Sequence, residues 1–300
     1  MRKGIALRAG VSLAAVAVAA LGVTGCQKGP DKAEDGRAAK ASSPVQALTA
    51  AYEKTAAAKS AKVTMSMSVP AGLPNGGETK ISGVMGWDPM VMDVTMSEGP
   101  LAGGAGGGEG SHMVWLHDTV YVDMGKRSQL LGGKRWGAFD LRAAAAQSGD
   151  KALVQQVAAS LDDMNQDPAR QLAMLLGARD VKSLGAGTVD GEHAEHYRGS
   201  LPVEEGLASL KSVTRLTAED RAKLVANAKK AGITSYDYDA WVNDQNYPVK
   251  MDVAIKTSRG TVKTTSHYSD YGAKAAVQAP PASDTVDLMK ALQDLMGQGG

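Results

Sequence analysis

Few residues in this chain of 300 are of the kinds that do covalent or metal chemistry. There is a single cysteine, Cys26, so an internal disulfide and any zinc site built on several thiolates are excluded. Of the five histidines, His193 and His196 lie closest together, in Glu192-His193-Ala194-Glu195-His196. On a helix this spacing would put both rings on one face. The stretch adjoins the turn signal Asp190-Gly191 and reads as extended, where an odd spacing sends them to opposite faces. His112 and His117 meet the same objection. Asp237 and Asp239 could share a strand face, but no third ligand and no calcium-loop glycine accompanies them, so they are expected to be solvated or to pair across a hairpin. Gly99 to Gly110 holds seven glycines without the Gly-Lys-Ser/Thr ending of a phosphate-binding loop. Gly133-Lys134-Arg135 and Gly185-Ala186-Gly187 also fail as nucleotide motifs, and no Gly-x-Ser-x-Gly elbow occurs. These residues predict no enzyme, no metal and no cofactor. The glycine run is expected to be a loop between strands, placed where it could gate a cavity mouth.

Charge narrows the partners. Lys and Arg number 33 and Asp and Glu 32, a formal balance of +1 that gives no reason to expect nucleic acid. The chain opens with Arg2, Lys3 and Arg8, then runs uncharged from Ala9 to Thr24, a stretch shorter than the roughly 20 residues a spanning helix needs. This pattern is a secretory leader. Val23-Thr24-Gly25-Cys26 resembles a bacterial lipobox, which implies cleavage before Cys26, a diacylglycerol on its sulfur and palmitate-type acylation. The expected organisation is residues 1–25 as leader, 26–43 as a lipidated tether, and 44–300 as one domain. The tether follows from composition: Gln27 to Ser43 mixes charges with Ala, Gly and Ser and holds no large apolar residue. It would reach over roughly 20 to 25 Å. The predicted location is extracytoplasmic, held to the cell membrane through acylated Cys26.

The elements follow from periodicity. Ser43-Pro44 starts a helix, with Val45, Leu48, Tyr52 and Thr55 as its expected apolar stripe. The period then changes to two. Val63, Met65, Met67 and Val69 alternate with polar residues, as do Ile81, Met85 and Trp87, then Met90, Met92, Val94 and Met96. Met113 to His117 and Val120 to Met124 form a further hairpin around Asp118-Thr119. A helical middle carries Leu153, Val157, Leu161 and Met164. Asp167 as N-cap with Pro168 then starts a helix that stops at Gly177. Val181 to Leu201 reads as two strands around Asp190-Gly191, and Thr217 with Asp220 opens a helix ending at Gly232. Tyr236 to Val242, Val249 to Ile255 and Val262 to Tyr268 are three clear strands, and a helix with Leu288, Leu292 and Leu295 closes the chain.

The runs Asp239-Ala240-Trp241-Val242-Asn243, Tyr247-Pro248-Val249-Lys250-Met251 and Thr264 to Gly272, with Ala279-Pro280-Pro281, resemble the C-terminal hairpins of LolA-like actinobacterial lipoproteins of the LppX/LprG type. The resemblance implies an α+β fold: a strongly curved antiparallel half-barrel with helices packed on its concave side, enclosing an apolar cavity. It also implies a lipid or acylated glycolipid as the bound molecule. Because such a lining is distributed, no residue roles transfer from the family. The residues supply their own candidates. Eight of the 14 methionines lie between Met65 and Met124, and an unbranched thioether repacks readily around flexible chains. The inward-facing positions Met65, Met67, Met92, Met96, Val122, Met251, Val253 and Ile255 form the expected lining. An ordinary core in a chain with one phenylalanine is the competing reading of those methionines. Two functions follow: a lipid-binding and lipid-carrying lipoprotein, or an anchored sensor or interaction module with the same fold and an unidentified protein partner.

The lipobox reading makes a direct prediction. Cys26→Ser should move the protein from the membrane fraction into the soluble fraction; retention after a salt wash would refute it.

Overall fold

Ser43 shows how closely local chemistry follows sequence. Its Oγ accepts from the Gln46 backbone N–H at 3.3 Å, and its own N–H donates to Gln46 Oε1 at 3.1 Å. This reciprocal cap, with Pro44 in the first turn, opens helix α1 (Pro44–Ala58). The computed structural model describes residues 43–73, 76–99, 110–143, 167–205, 218–273 and 277–297. The leader, Cys26, the tether, most of the glycine run and the Leu153–Met164 stripe lie outside these residues.

The strands are β1 (Ser60–Val69), β2 (Gly77–Trp87), β3 (Met90–Glu98), β4 (Ser111–Leu116), β5 (Thr119–Asp123), β6 (Trp136–Asp140), β7 (Lys182–Val189), β8 (Glu192–Pro202), β9 (Ile233–Asn243), β10 (Pro248–Thr257), β11 (Gly260–Ser269) and β12 (Thr285–Asp287). Among the described residues the other α-helices are α2 (Pro168–Leu176), α3 (Ala218–Lys230) and α4 (Leu288–Gly297). All twelve strands join one open, curved sheet in the order β12-β6-β5-β4-β3-β2-β1-β11-β10-β9-β8-β7. Every pairing is antiparallel except β12 with β6. The α+β class read from the sequence is the observed one.

Alternation fixes what each face carries. Val63 lies opposite Tyr268, Met65 opposite Ser266, and Met251 opposite both Ser266 and Ala240, so these residues share a face. α1 and α2 pack on that face. Leu48, Ala51, Leu172 and Leu175 join Met65, Met85, Met92, Trp115 and Tyr238 in one core. The expected stripe of α1 is partly wrong: Val45 and Tyr52 are exposed, while Leu48, Ala51 and Thr55 are buried. The helix is alanine-rich, so small side chains conceal which face is inward.

Asp167 caps α2 by accepting from the Ala169 N–H at 2.7 Å, and α2 ends against Gly177, as expected. Beneath it Gly199 permits close approach. A Cβ there would sit 2.8 Å from both Leu175 and Ala178. The β4–β5 turn falls one residue earlier than expected, with His117 at φ +55, and Met124 lies beyond the strand. Two strands were not anticipated, β6 and β12.

Gly83 marks a bend in β2. Its φ is +157, and a Cβ there would meet the Asp93 carbonyl oxygen at 2.1 Å. Gly83→Ala should therefore destabilise by about 1–3 kcal/mol, whereas Gly187→Ala, with nothing within 4 Å of a new Cβ, should be nearly silent. Urea midpoints measure the difference; equal midpoints would contradict the bend.

Candidate hydrophobic binding face

All eight expected lining residues fall on the helix-bearing face. The registers connect them. Met67 stands opposite Thr264, which stands opposite Val253 and then Tyr238 on β9. The next row runs from Val262 through Ile255 to Tyr236. On the other flank Met85 lies opposite Met92, which lies opposite Trp115, and Ile81 lies opposite Met96. Val122 lies opposite Met113.

Burial divides the eight into two groups. Met65, Met92 and Met251 are buried beneath the helices as ordinary core, in contact with a packed layer that includes Leu48, Leu172 and Leu175. Met67, Met96, Val122, Val253 and Ile255 are only half-buried. Met67, Val253 and Ile255 gather at the end of the sheet away from the α1–β1 junction, together with Val69, Tyr236 and Val262, which are also half-buried. α1 runs into β1 at the opposite end, where the Trp87 N–H donates to the Lys59 carbonyl at 2.9 Å. Among the described residues an apolar strip thus lies beyond α1 and α2. The sequence reading placed Tyr236, Val262 and Ile81 on strands without assigning them to the lining. Cross-strand register is the signal that finds them, once the two-residue turns are counted.

The face is electrically quiet. Burial pushes the phenols of Tyr238 and Tyr268 up to about 12, and that of Tyr271 well above its ordinary value. The Tyr271 hydroxyl donates to the Pro248 carbonyl at 2.7 Å. The charge of Asp167 is felt by both Tyr268 and Tyr271. Burial raises its carboxyl above the usual carboxylate value, against the pull of the Ala169 and Arg170 N–H groups.

The opposite face is polar and paired. Asp239 holds His196 Nε2 at 2.5 Å and Arg198 Nε at 2.7 Å, while Asp237 accepts from Ser200 at 2.8 Å and pairs with Lys256 at 2.6 Å. Trp241 stacks on His196 at 4.1 Å and lies under Lys250 at 4.1 Å. His193 turns instead to Asp244 at 3.0 Å, so the two neighbouring histidines are separated, as odd spacing on a strand requires. His112 pairs with Asp93 at 2.6 Å. No cluster of three metal-ligating side chains exists among the described residues. A groove of about 600 Å³ on this side is lined by Lys62, Thr64, Ser82, Asp190, Glu192 and His267. None of the eight expected lining residues borders it.

No family model matches the chain. An uncharacterized 31.2 kDa protein from the rplA–rplJ intergenic region of Streptomyces griseus is 33% identical over 273 residues, covering 86% of this chain and 82% of that one. The two belong to one family. A second relative, from Streptomyces coelicolor, is named as a candidate lipoprotein, SCO4650; it is 26% identical over 70% of this chain and 65% of its own length. Similar solved structures include the lipoprotein LppX of Mycobacterium tuberculosis, 12% identical with a TM-score of 0.45, covering 78% of this chain and 98% of LppX. LprF of Mycobacterium bovis is likewise 12% identical with a TM-score of 0.45, over 80% of this chain and 97% of LprF.

Asp167 yields a signed pH prediction. Because its folded-state pKa is raised, the native chain keeps a proton that the unfolded chain has lost, so this group's contribution to stability falls as pH rises above the ordinary carboxylate value. Asp167→Asn keeps an N-cap and removes the titration, so the variant should gain on the wild type as pH rises above the ordinary carboxylate value. Parallel urea-midpoint curves over that range would contradict it. Asp167→Ala, which loses the cap as well as the titration, should lie about 1 kcal/mol below Asp167→Asn at all pH values.

Proposed function

We propose that the chain is a membrane-anchored lipoprotein that binds acyl chains or comparable hydrophobic molecules along the half-buried strip of Met67, Val253 and Ile255, and carries them in the cell envelope. The observation behind the reading is apolar surface left in excess. α1 and α2 fill the centre of the face with leucine and methionine, yet the rows beyond them stay apolar and half-open. Such surface is costly to leave in water and is commonly reserved for a ligand. Each methylene placed against it contributes about 0.8 kcal/mol. Met67 and Met96 adapt to chains of different length because thioether side chains lose little on repacking. The neutral phenol of half-buried Tyr236 continues the strip without adding charge.

Anchoring is assigned to Cys26. Among the described residues no helix is long and apolar enough to cross a membrane. The Gln27–Ser43 segment sets the distance the domain works from the surface.

The test uses the soluble Cys26→Ser chain and a fluorescent fatty acid. Val253→Arg and Met67→Arg should fold normally and lose uptake tenfold or more, because a charge then lies across the strip. Met92→Arg is different in kind: Met92 is packed between Met85 and Trp115, so an unpaired charge there should cost several kcal/mol and lower Tm sharply. A parent chain that takes up neither fatty acid nor phospholipid would defeat the carrier reading.

A further inference from the structure

Charge is divided between the two ends of the sheet. At the end where α1 runs into β1, the β2–β3 turn carries Asp88, the β4–β5 turn Asp118, the β7–β8 turn Asp190 and the β9–β10 turn Asp244, and Asp270 follows β11. Three cations nearby, Lys59, Lys62 and Arg142, pair with Asp88, Asp270 and Asp118 at 2.8, 2.7 and 3.0 Å. The far end is the reverse. Lys126 and Arg127 stand between β5 and β6, Lys229 and Lys230 lead into β9, and Arg259 lies in the β10–β11 turn, all of them exposed. Glu204 meets Lys229 at 2.5 Å and Glu78 is exposed on β2, but Lys230 and Arg259 pair with no carboxylate among the described residues. The ten residues of β1 hold the two ends roughly 30 Å apart, several times the distance of about 8 Å over which salt screens exposed charge. The acidic end therefore does not cancel the field of the basic one.

The basic turns adjoin an apolar one. From Pro70 to Gly77 the β1–β2 connection carries no charge, and Ala71 is exposed and Leu73 half-buried. It lies against the β10–β11 turn, since a Cβ on Gly260 would sit 2.8 Å from Pro70. The Ser258 N–H donates to the Gly232 carbonyl at 2.9 Å and joins that turn to the one after Lys230. Ala71, Arg259 and Lys230 thus stand on three contiguous turns, and the last row of the half-buried strip, Val262, Ile255 and Tyr236, runs directly behind them. A bilayer with anionic headgroups is complementary to this arrangement: phosphates attract the cations, and the uncharged tip enters the interface at little desolvation cost. We propose that this end of the sheet docks on an anionic phospholipid bilayer, with Ala71 and Leu73 at the interface and Lys230 and Arg259 on the headgroups, so that the strip opens toward the membrane. The docking takes its purpose from the carrier reading, but it requires no molecule on the strip and is measured separately from uptake.

Flotation of the Cys26→Ser chain with vesicles tests it. The chain should bind vesicles of phosphatidylcholine mixed with phosphatidylglycerol, should ignore phosphatidylcholine alone, and should be released by added salt. Lys230→Gln and Arg259→Gln should each weaken binding roughly fivefold. Lys59→Gln, at the acidic end, should leave it unchanged. In the same background an environment-sensitive dye on Ala71→Cys should shift to the blue on the mixed vesicles, and the same dye on Gln245→Cys, exposed in the β9–β10 turn, should not. Equal binding to both vesicles, or a response from the Gln245→Cys dye in place of the Ala71→Cys dye, overturns the proposal. A chain that takes up fatty acid yet binds neither vesicle overturns the docking and leaves the carrier reading intact. Docking through Ala71 by a chain that takes up no fatty acid upholds the surface and defeats the carrier reading alone.

Discussion

The two-residue period of the strands is the constraint on which the rest depends. It sorts Val63, Met65 and Met67 from Lys62, Thr64 and Ser66 with no further instruction, and antiparallel register extends the sorting from β1 through β11 and β10 to β9. A slip of one residue anywhere in that series would exchange the two faces. Because β1, β2, β9, β10 and β11 are each ten or eleven residues long, the apolar face is longer than the footprint of the short helices α1 and α2 that pack on it. Core and half-buried strip are therefore parts of one surface, distinguished among the described residues by whether α1 or α2 lies above them.

The polar face obeys the same register with opposite content. Asp239 and Asp252 lie directly opposite each other on β9 and β10, an arrangement that would repel were it not compensated. Arg198 and His196 meet Asp239, and Lys250 meets Asp252 at 3.1 Å. The histidines are used here as cross-strand partners. Their spacing in sequence resembles a ligand pair, but each turns to a different aspartate. These partly buried pairs compensate one another's charge across the strands of the polar face.

Much of this was legible in the residues. The alternating strands, the Asp167-Pro168 start of α2, the Asp190-Gly191 turn and the common face of the eight candidate lining residues all follow from local pattern. Three features were hidden for physical reasons. The buried side of α1 was misassigned at Val45 and Tyr52, because alanine fits either side of a helix. β6 and β12 escaped because one is a five-residue strand and the other a three-residue strand whose parallel partner is far away in sequence. The division of the lining into core residues such as Met92 and strip residues such as Val253 depends on where the helices land, and strand periodicity carries no information about that.

Native mass spectrometry of the Cys26→Ser chain, purified from cells and again after exposure to phospholipid vesicles, tests the central claim most directly. A carrier should retain an organic-extractable adduct of acyl-lipid mass, lost in the Val253→Arg variant. A bare chain mass in both preparations, from protein that melts cooperatively, would contradict the claim that the uncovered apolar rows exist to hold a ligand.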